Sequence, residues 1–151
     1  MTSDAELDPA AVEIGSFFPH APDTVWSALT TPVLVEQWLM RSTGLTPAVG
    51  THFIFAVPTQ PAGEIACEVL TARPAEQLTL TWVDLRPRYP ARWIVDWTLQ
   101  PQGRGTRLLL TQTGFDIENR RQKMARNAME RGWKSALTRL RDVLDESSAG
   151  R

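Results

Sequence analysis

The side chains capable of acid, base or anion chemistry gather in two stretches. One holds His52, Glu64 and Glu68; the other holds Asp84, Arg86, Arg88, Tyr89, Arg92 and Asp96. General acid–base catalysis needs a titrating group within reach of the proton it moves, and none of these residues stands in a string that supplies such a pair. His20 and His52 are the only histidines, and the single cysteine, Cys67, has no partner spaced as in a zinc or transition-metal site. Gly103 and Gly105 lie between two β-rich arms rather than ahead of a helix, so they do not form a phosphate-cradling loop. The expectation is a protein with no cofactor and no metal, with catalytic residues unassigned and enzymatic activity the less favoured reading.

The segment DLRPRYPAR, residues 84–92, is the most suggestive polar feature. Arginine forks there can hold a carboxylate or phosphate, although polar loops are usually just solvated. Asp84 shares the parity of the apolar residues preceding it, so it can face inward and act as an acid or base, whereas Asp96 has the opposite parity to its apolar neighbours.

The elements that must position these groups are legible from periodicity. Residues 119–146 place Met129, Trp133, Ala136, Leu137, Leu140 and Leu144 at intervals of three and four, which predicts one long amphipathic C-terminal helix. All eleven prolines lie at or before Pro101, so none interrupts it. Residues 12–18 read as a strand ending at Pro19. Pro22 and Asp23 suit the first turn of a short helix, and a second follows Pro32. From Thr51 the period changes to two through THFIFAV, GEIACEVLT, EQLTLTWV, RWIVDWTLQ and TRLLLTQTG, with the last pair joined by a glycine-bearing hairpin. The order is one strand, two short helices, five strands and a long helix.

Alternation assigns the inner faces to Phe53 and Phe55; Ile65, Cys67 and Val69; Leu78, Leu80 and Trp82; Trp93, Val95, Trp97 and Leu99; Leu108 and Leu110. A slip of one residue would exchange the faces. Gly132 stands inside the helix at a cost of about 1 kcal/mol relative to alanine. Its expected compensation is close approach to a bulky strand residue, with room for a ligand as the second account.

With 151 residues and 42% hydrophobic content, the chain suits a single domain. The expected division is a flexible acidic leader over 1–11, one domain over 12–146 and a flexible tail over 147–151. No apolar run reaches the about 20 residues that span a bilayer, and the N-terminus lacks a secretory pattern, so a cytoplasmic location and no membrane insertion are expected. A net charge of −1 argues against a general nucleic-acid binder. The helix nonetheless carries eight bases against four acids, which leaves a basic face for a protein partner.

The strings PDTVWSALTTPVLVEQWL, GEIACEVLTARPAEQLTLTW and WTLQPQGRGTRLLLTQTGF, with the Gly132, Trp133 pair, resemble the START-like (SRPBCC) superfamily, and within it the family named after the activator of the heat-shock ATPase. The resemblance runs over about residues 12–145. It departs at Thr51 and His52, where the family often has a second glycine and a small or polar residue. It implies an α+β helix-grip fold: a curved six-stranded antiparallel sheet around the C-terminal helix, with a pocket between them for an apolar or amphipathic small molecule. Relatives include lipid carriers, hormone receptors, aromatase/cyclases and co-chaperone domains. The eukaryotic activator has a further N-terminal domain for which 151 residues leave no room, so ligand binding is the leading expectation. A cyclase- or hydrolase-like enzyme and a chaperone-linked interaction module are the alternatives. The expected lining is Phe55, Trp82, Trp93, Trp97, Leu110, Met124 and Ala128, in a monomer or weak dimer. Trp26, Trp38 and Trp133 are expected to be core.

Overall fold

A computed structural model describes residues 8–149. In chain order the elements are β1 (Val12–Phe18), α1 (Pro22–Thr30), α2 (Pro32–Trp38), β2 (Arg41–Thr43), β3 (His52–Val57), β4 (Gly63–Arg73), β5 (Gln77–Asp84), β6 (Arg92–Gln102), β7 (Gly105–Thr113) and α3 (Arg120–Ala149). The strands form one antiparallel sheet in the order β1-β7-β6-β5-β4-β3-β2. Consecutive strands from β2 to β7 pair through short turns, while the α1–α2 pair carries the chain from one edge of the sheet to the other.

Seven strands stand where six were expected among the described residues. The addition, β2, pairs Arg41, Ser42 and Thr43 with Ala56, Phe55 and Ile54. Three residues of polar sequence at a sheet edge carry no alternating pattern, so periodicity could not report them. The inner faces are as expected: all fourteen residues assigned inward, from Phe53 to Leu110, are buried. Both short helices begin with their proline at the first turn, where the missing N–H has no helical partner to lose.

Asn119 starts α3: its Oδ1 accepts the backbone N–H of Arg121 at 3.0 Å and of Gln122 at 3.2 Å. The helix runs three residues past the expected end, to Ala149, so 147–149 are helical and only 150–151 of the expected tail lie outside the described residues. Of the expected leader, 1–7 lie outside the described residues. Residues 8–11 form a turn, with Ala10 N–H donating to Asp8 Oδ1 at 2.8 Å.

Trp133 fixes how α3 lies on the sheet. Its indole N–H donates to Gln112 Oε1 on β7 at 2.7 Å, and its ring meets Trp82 and Trp97 edge-on at 5.3 and 5.7 Å between centroids. Arginines of the helix add ties to the same framework. Arg141 donates to the Phe17 carbonyl at 2.8 Å with its guanidinium 4.7 Å from the Phe18 ring, Arg126 donates to the Ala11 carbonyl at 3.0 Å, and Arg139 to the Trp38 carbonyl at 3.1 Å. Trp38 in turn donates to Ala28 O at 2.8 Å, locking α2 to α1. The helix bases expected as a partner-binding face are thus in part committed to internal contacts.

The hairpin between β6 and β7 corrects one detail. Gly103 takes a positive φ of 58°, but Gly105 serves another purpose: a Cβ there would stand 2.5 Å from the Phe18 carbonyl oxygen and from the Phe17 ring. It is the absence of a side chain that lets β1 close on the sheet.

Replacing Trp133 by Phe keeps the ring but removes the donor, leaving the fully buried Gln112 amide oxygen without its bond. The expected loss is about 1–3 kcal/mol, read as a lower midpoint in urea unfolding with an unchanged slope.

Candidate functional site

An open cavity of about 240 Å³ lies between the β3–β5 half of the sheet, the end of α2 and the middle of α3. Leu39 and Met40 close it from the α2–β2 connection, and Val57, Thr59 and Ile65 from β3, its following loop and β4. Trp82 and Arg86 come from β5 and the residues just after it, and Met129, Gly132, Trp133, Ala136 and Arg139 from α3. An adjoining hollow shares Leu39, Met40 and Val57 and carries Glu36 and Arg41 at its far side. The cavity falls slightly below the about 300 Å³ at which ligand pockets usually begin, which suits a single ring or a short chain.

Of the seven residues expected to line the pocket, Trp82 does so. Phe55, Trp97 and Leu110 are buried in the core: Phe55 packs 5.6 Å from Trp82, Trp97 against Trp133, and Leu110 is fully covered. Trp93 packs 4.6 Å from Phe115, beyond β7, and does not line the cavity. Met124 is 63% exposed and Ala128 is exposed as well. The error is one of helical phase. Successive residues are about 100° apart around a helix, and the half-buried positions are Ala125 and Met129, each one residue further on.

Gly132 reverses the expectation placed on it. No described atom lies within 4 Å of where its Cβ would stand, apart from its own chain neighbours and helix backbone. Close approach to a tryptophan therefore does not explain the glycine, which is exposed and borders the cavity. Leu39, Met40 and Arg139 were missed altogether, since their convergence depends on how α2 docks. Ala136 and Trp133 were read as core, and both are buried while also bounding the cavity.

Among the chemical candidates, His52, Glu64, Glu68 and Asp96 alternate with the buried residues and so belong to the outer face of the sheet. Asp96 is held there by Thr79, Gln77 and Thr98, at 2.5, 2.9 and 2.9 Å. The unusual Thr51, His52 entry thus leaves the cavity wall unaffected, because His52 is exposed opposite Glu68. Tyr89 is 81% exposed with Arg88 stacked 5.5 Å from its ring, as in a solvated loop.

Asp84 reaches the cavity through its partner Arg86, a lining residue. Arg86 grips it bidentately, Nε to Oδ1 at 2.9 Å and Nη2 to Oδ2 at 2.6 Å. Those bonds hold the Asp84 carboxyl below the usual carboxylate range, against the opposing effect of partial burial. It is ionised near neutral pH and a weak base, which suits an anchor for Arg86 better than a proton carrier. Gly63 lets the arginine stem pass, since a Cβ there would strike Arg86 Cγ. No cluster of three metal-capable side chains occurs among the described residues, and no helix among them is long and apolar enough to cross a membrane.

The concave face also carries buried donors. The indole N–H groups of Trp93 and Trp97 and the Gln112 amide nitrogen have no acceptor among the described residues. The register places Gln112 opposite Val95, between the two tryptophans on β6.

A curved antiparallel sheet wrapped on a long C-terminal helix, with a cavity between them, defines a helix-grip domain of the START-like superfamily. The sequence profile for Activator of Hsp90 ATPase homolog 1-like protein matches residues 19–145, and the chain belongs to that family. Protein MLL2253 from Mesorhizobium loti is similar at 33% identity, with a TM-score of 0.81, over 90% of this chain and 97% of that one. CalU16 from Micromonospora echinospora has the same fold at 24% identity and a TM-score of 0.72, over 92% of this chain and 78% of that one. Protein NE0264 from Nitrosomonas europaea shares it at 18% identity and a TM-score of 0.77, over 93% and 98%. No curated protein matches the chain.

Burial pushes the Cys67 thiol on the inner face up to about 12, whereas an unfolded thiol ionises near about 8.5. The folded state therefore keeps its proton, and this contribution to stability is complete below about pH 8.5 and lost as pH rises toward the folded value. Between pH 9 and 11 the wild type is expected to lose up to about 1.4 kcal/mol per pH unit more than Cys67→Ala in urea unfolding. Parallel pH profiles for the two proteins would show that the thiol ionises within the fold. A second contrast tests the helix phase: Met124→Lys is expected to change stability by no more than about 0.5 kcal/mol, while Ala136→Lys, at a buried position, sharply lowers the melting temperature.

Proposed function

We propose that this protein binds a small apolar or amphipathic molecule in the cavity between β3–β5 and α3. The observation that carries the reading is Gly132. A glycine inside a long helix lowers stability by about 1 kcal/mol relative to alanine, and here neither a close contact nor a positive φ requires it. It leaves the exposed border of the cavity bare of a side chain, next to walls formed by Trp82, Trp133 and Met129, where indole faces and a flexible thioether can accommodate a ligand. Affinity comes from apolar surface removed from water, at about 25 cal/mol per Å² before the costs of association.

Membership of the family supports this reading, as does the absence of a proton-transfer partner for Asp84 among the described residues. The helix bases tied to β1 and α2 weigh against a reading in which α3 serves mainly as an exposed docking face. The proposal includes a cytoplasmic location and a monomer or weak dimer.

The test uses the neutral single-ring probe butylbenzene, titrated calorimetrically. Saturable binding is expected in the wild type. Gly132→Leu is expected to weaken it at least about ten-fold, since its side chain enters the cavity, while Gly132→Ala raises the melting temperature through helix propensity. Undiminished probe binding by a folded Gly132→Leu protein would remove the cavity from consideration.

A further inference from the structure

The cavity joins an apolar interior to a cationic rim. Two of its lining residues, Arg86 and Arg139, carry positive charge, and none of its lining residues is acidic. Arg86 is neutralised by the Asp84 ion pair at 2.6 Å. Arg139 forms no salt bridge among the described residues; its Nε donates to the Trp38 carbonyl at 3.1 Å, which orients the guanidinium while leaving its terminal nitrogens uncommitted. Arg86 is similarly held by three bonds, the third from Nη1 to the Pro61 carbonyl at 3.2 Å. A guanidinium has five N–H donors, so both side chains are anchored with donors to spare. The two arginines and Asp84 sum to one positive charge at the rim.

We propose that the ligand of this site is an apolar-tailed anion, a carboxylate on a short aliphatic chain or single ring, whose tail lies against Trp82, Met129 and Gly132 and whose carboxylate is met by Arg139. The inference rests on the cavity reading above and deepens it by assigning a charge to the ligand's head. Arg139 is the specificity-determining residue and Arg86 a fixed flank: its carboxylate partner is already Asp84. Arginine suits this role because its planar fork meets both oxygens of a carboxylate, a geometry that a lysine ammonium does not reproduce. Glu36 and Arg41 lie in the adjoining hollow and are of opposite sign, so they do not alter the balance at the rim.

Three probes of matched tail separate charge from burial: octanoate, 1-octanol and octylamine, titrated calorimetrically into the full chain at low salt. Octanoate is expected to bind at least about ten-fold more tightly than octanol, as one charge-assisted bond would give, with octylamine the weakest. Arg139→Gln is expected to bring octanoate down to the octanol affinity of the same variant, and Arg139→Lys to restore part of the preference. Near-ultraviolet circular dichroism identifies any variant that has lost its tertiary packing, and competition by octanoate against octanol in the wild type then gives the same comparison without a mutation. Equal binding of octanoate and octanol, or a preference that survives Arg139→Gln, would overturn the anion assignment while the apolar cavity stands. Silence of all three probes, together with no binding of butylbenzene, would overturn both.

Discussion

Everything in this structure that bears on function depends on one buried interaction, the Trp133 indole donating to Gln112. A tryptophan whose N–H must be satisfied inside the core has few acceptable positions. Gln112 is fully buried on β7, so the bond specifies both the rotation of α3 about its axis and its place along the sheet. Trp82 and Trp97 hold the same ring from two strands, in the edge-on geometry that aromatic quadrupoles favour. Arg141 and Arg139 then fasten the helix to β1 and α2 along its remaining length.

This docking divides the space beneath the helix unevenly. On the β6–β7 side Trp97 and Gln112 meet Trp133, Leu110 is fully buried, and Phe115 closes over Trp93 after the Gly114 turn, with its positive φ of 104°. On the β3–β5 side the helix presents a glycine and a half-buried methionine, and the cavity remains. An aromatic sequence Phe53, Phe55, Trp82, Trp133, Trp97 runs between the two halves with centroid spacings of 5.2, 5.6, 5.3 and 5.7 Å. Trp82 and Trp133, the central members of this array, form one wall of the cavity.

Charge is arranged with the same division. Most of the chemical side chains face outward, where Asp96 is absorbed by hydroxyl and amide donors. At the cavity mouth Asp84 serves to hold Arg86 in place, and its depressed proton affinity is a consequence of that pairing. An acid fixed by a bidentate arginine is suited to orienting that neighbour.

The sequence by itself determined the order of the longer elements, the inner faces of β3 to β7 and the identity of the helix stripe from Met129 to Leu144, because alternation and helical periodicity are local properties of the chain. It also marked Gly132 as anomalous, since a glycine inside a strong helix contradicts its neighbours' propensity. It did not determine the edge strand β2, which is too short and polar to carry a period, nor the exposure of Met124 and Ala128, which a phase error of one residue on the helix decides. Only tertiary structure brought Leu39, Met40 and Arg139 together with Trp82 and opened the side of Gly132. Cavity position depends on the tilt and docking of α3, and those follow from long-range contacts such as Trp133 with Gln112, twenty-one residues apart in sequence, that no local pattern encodes.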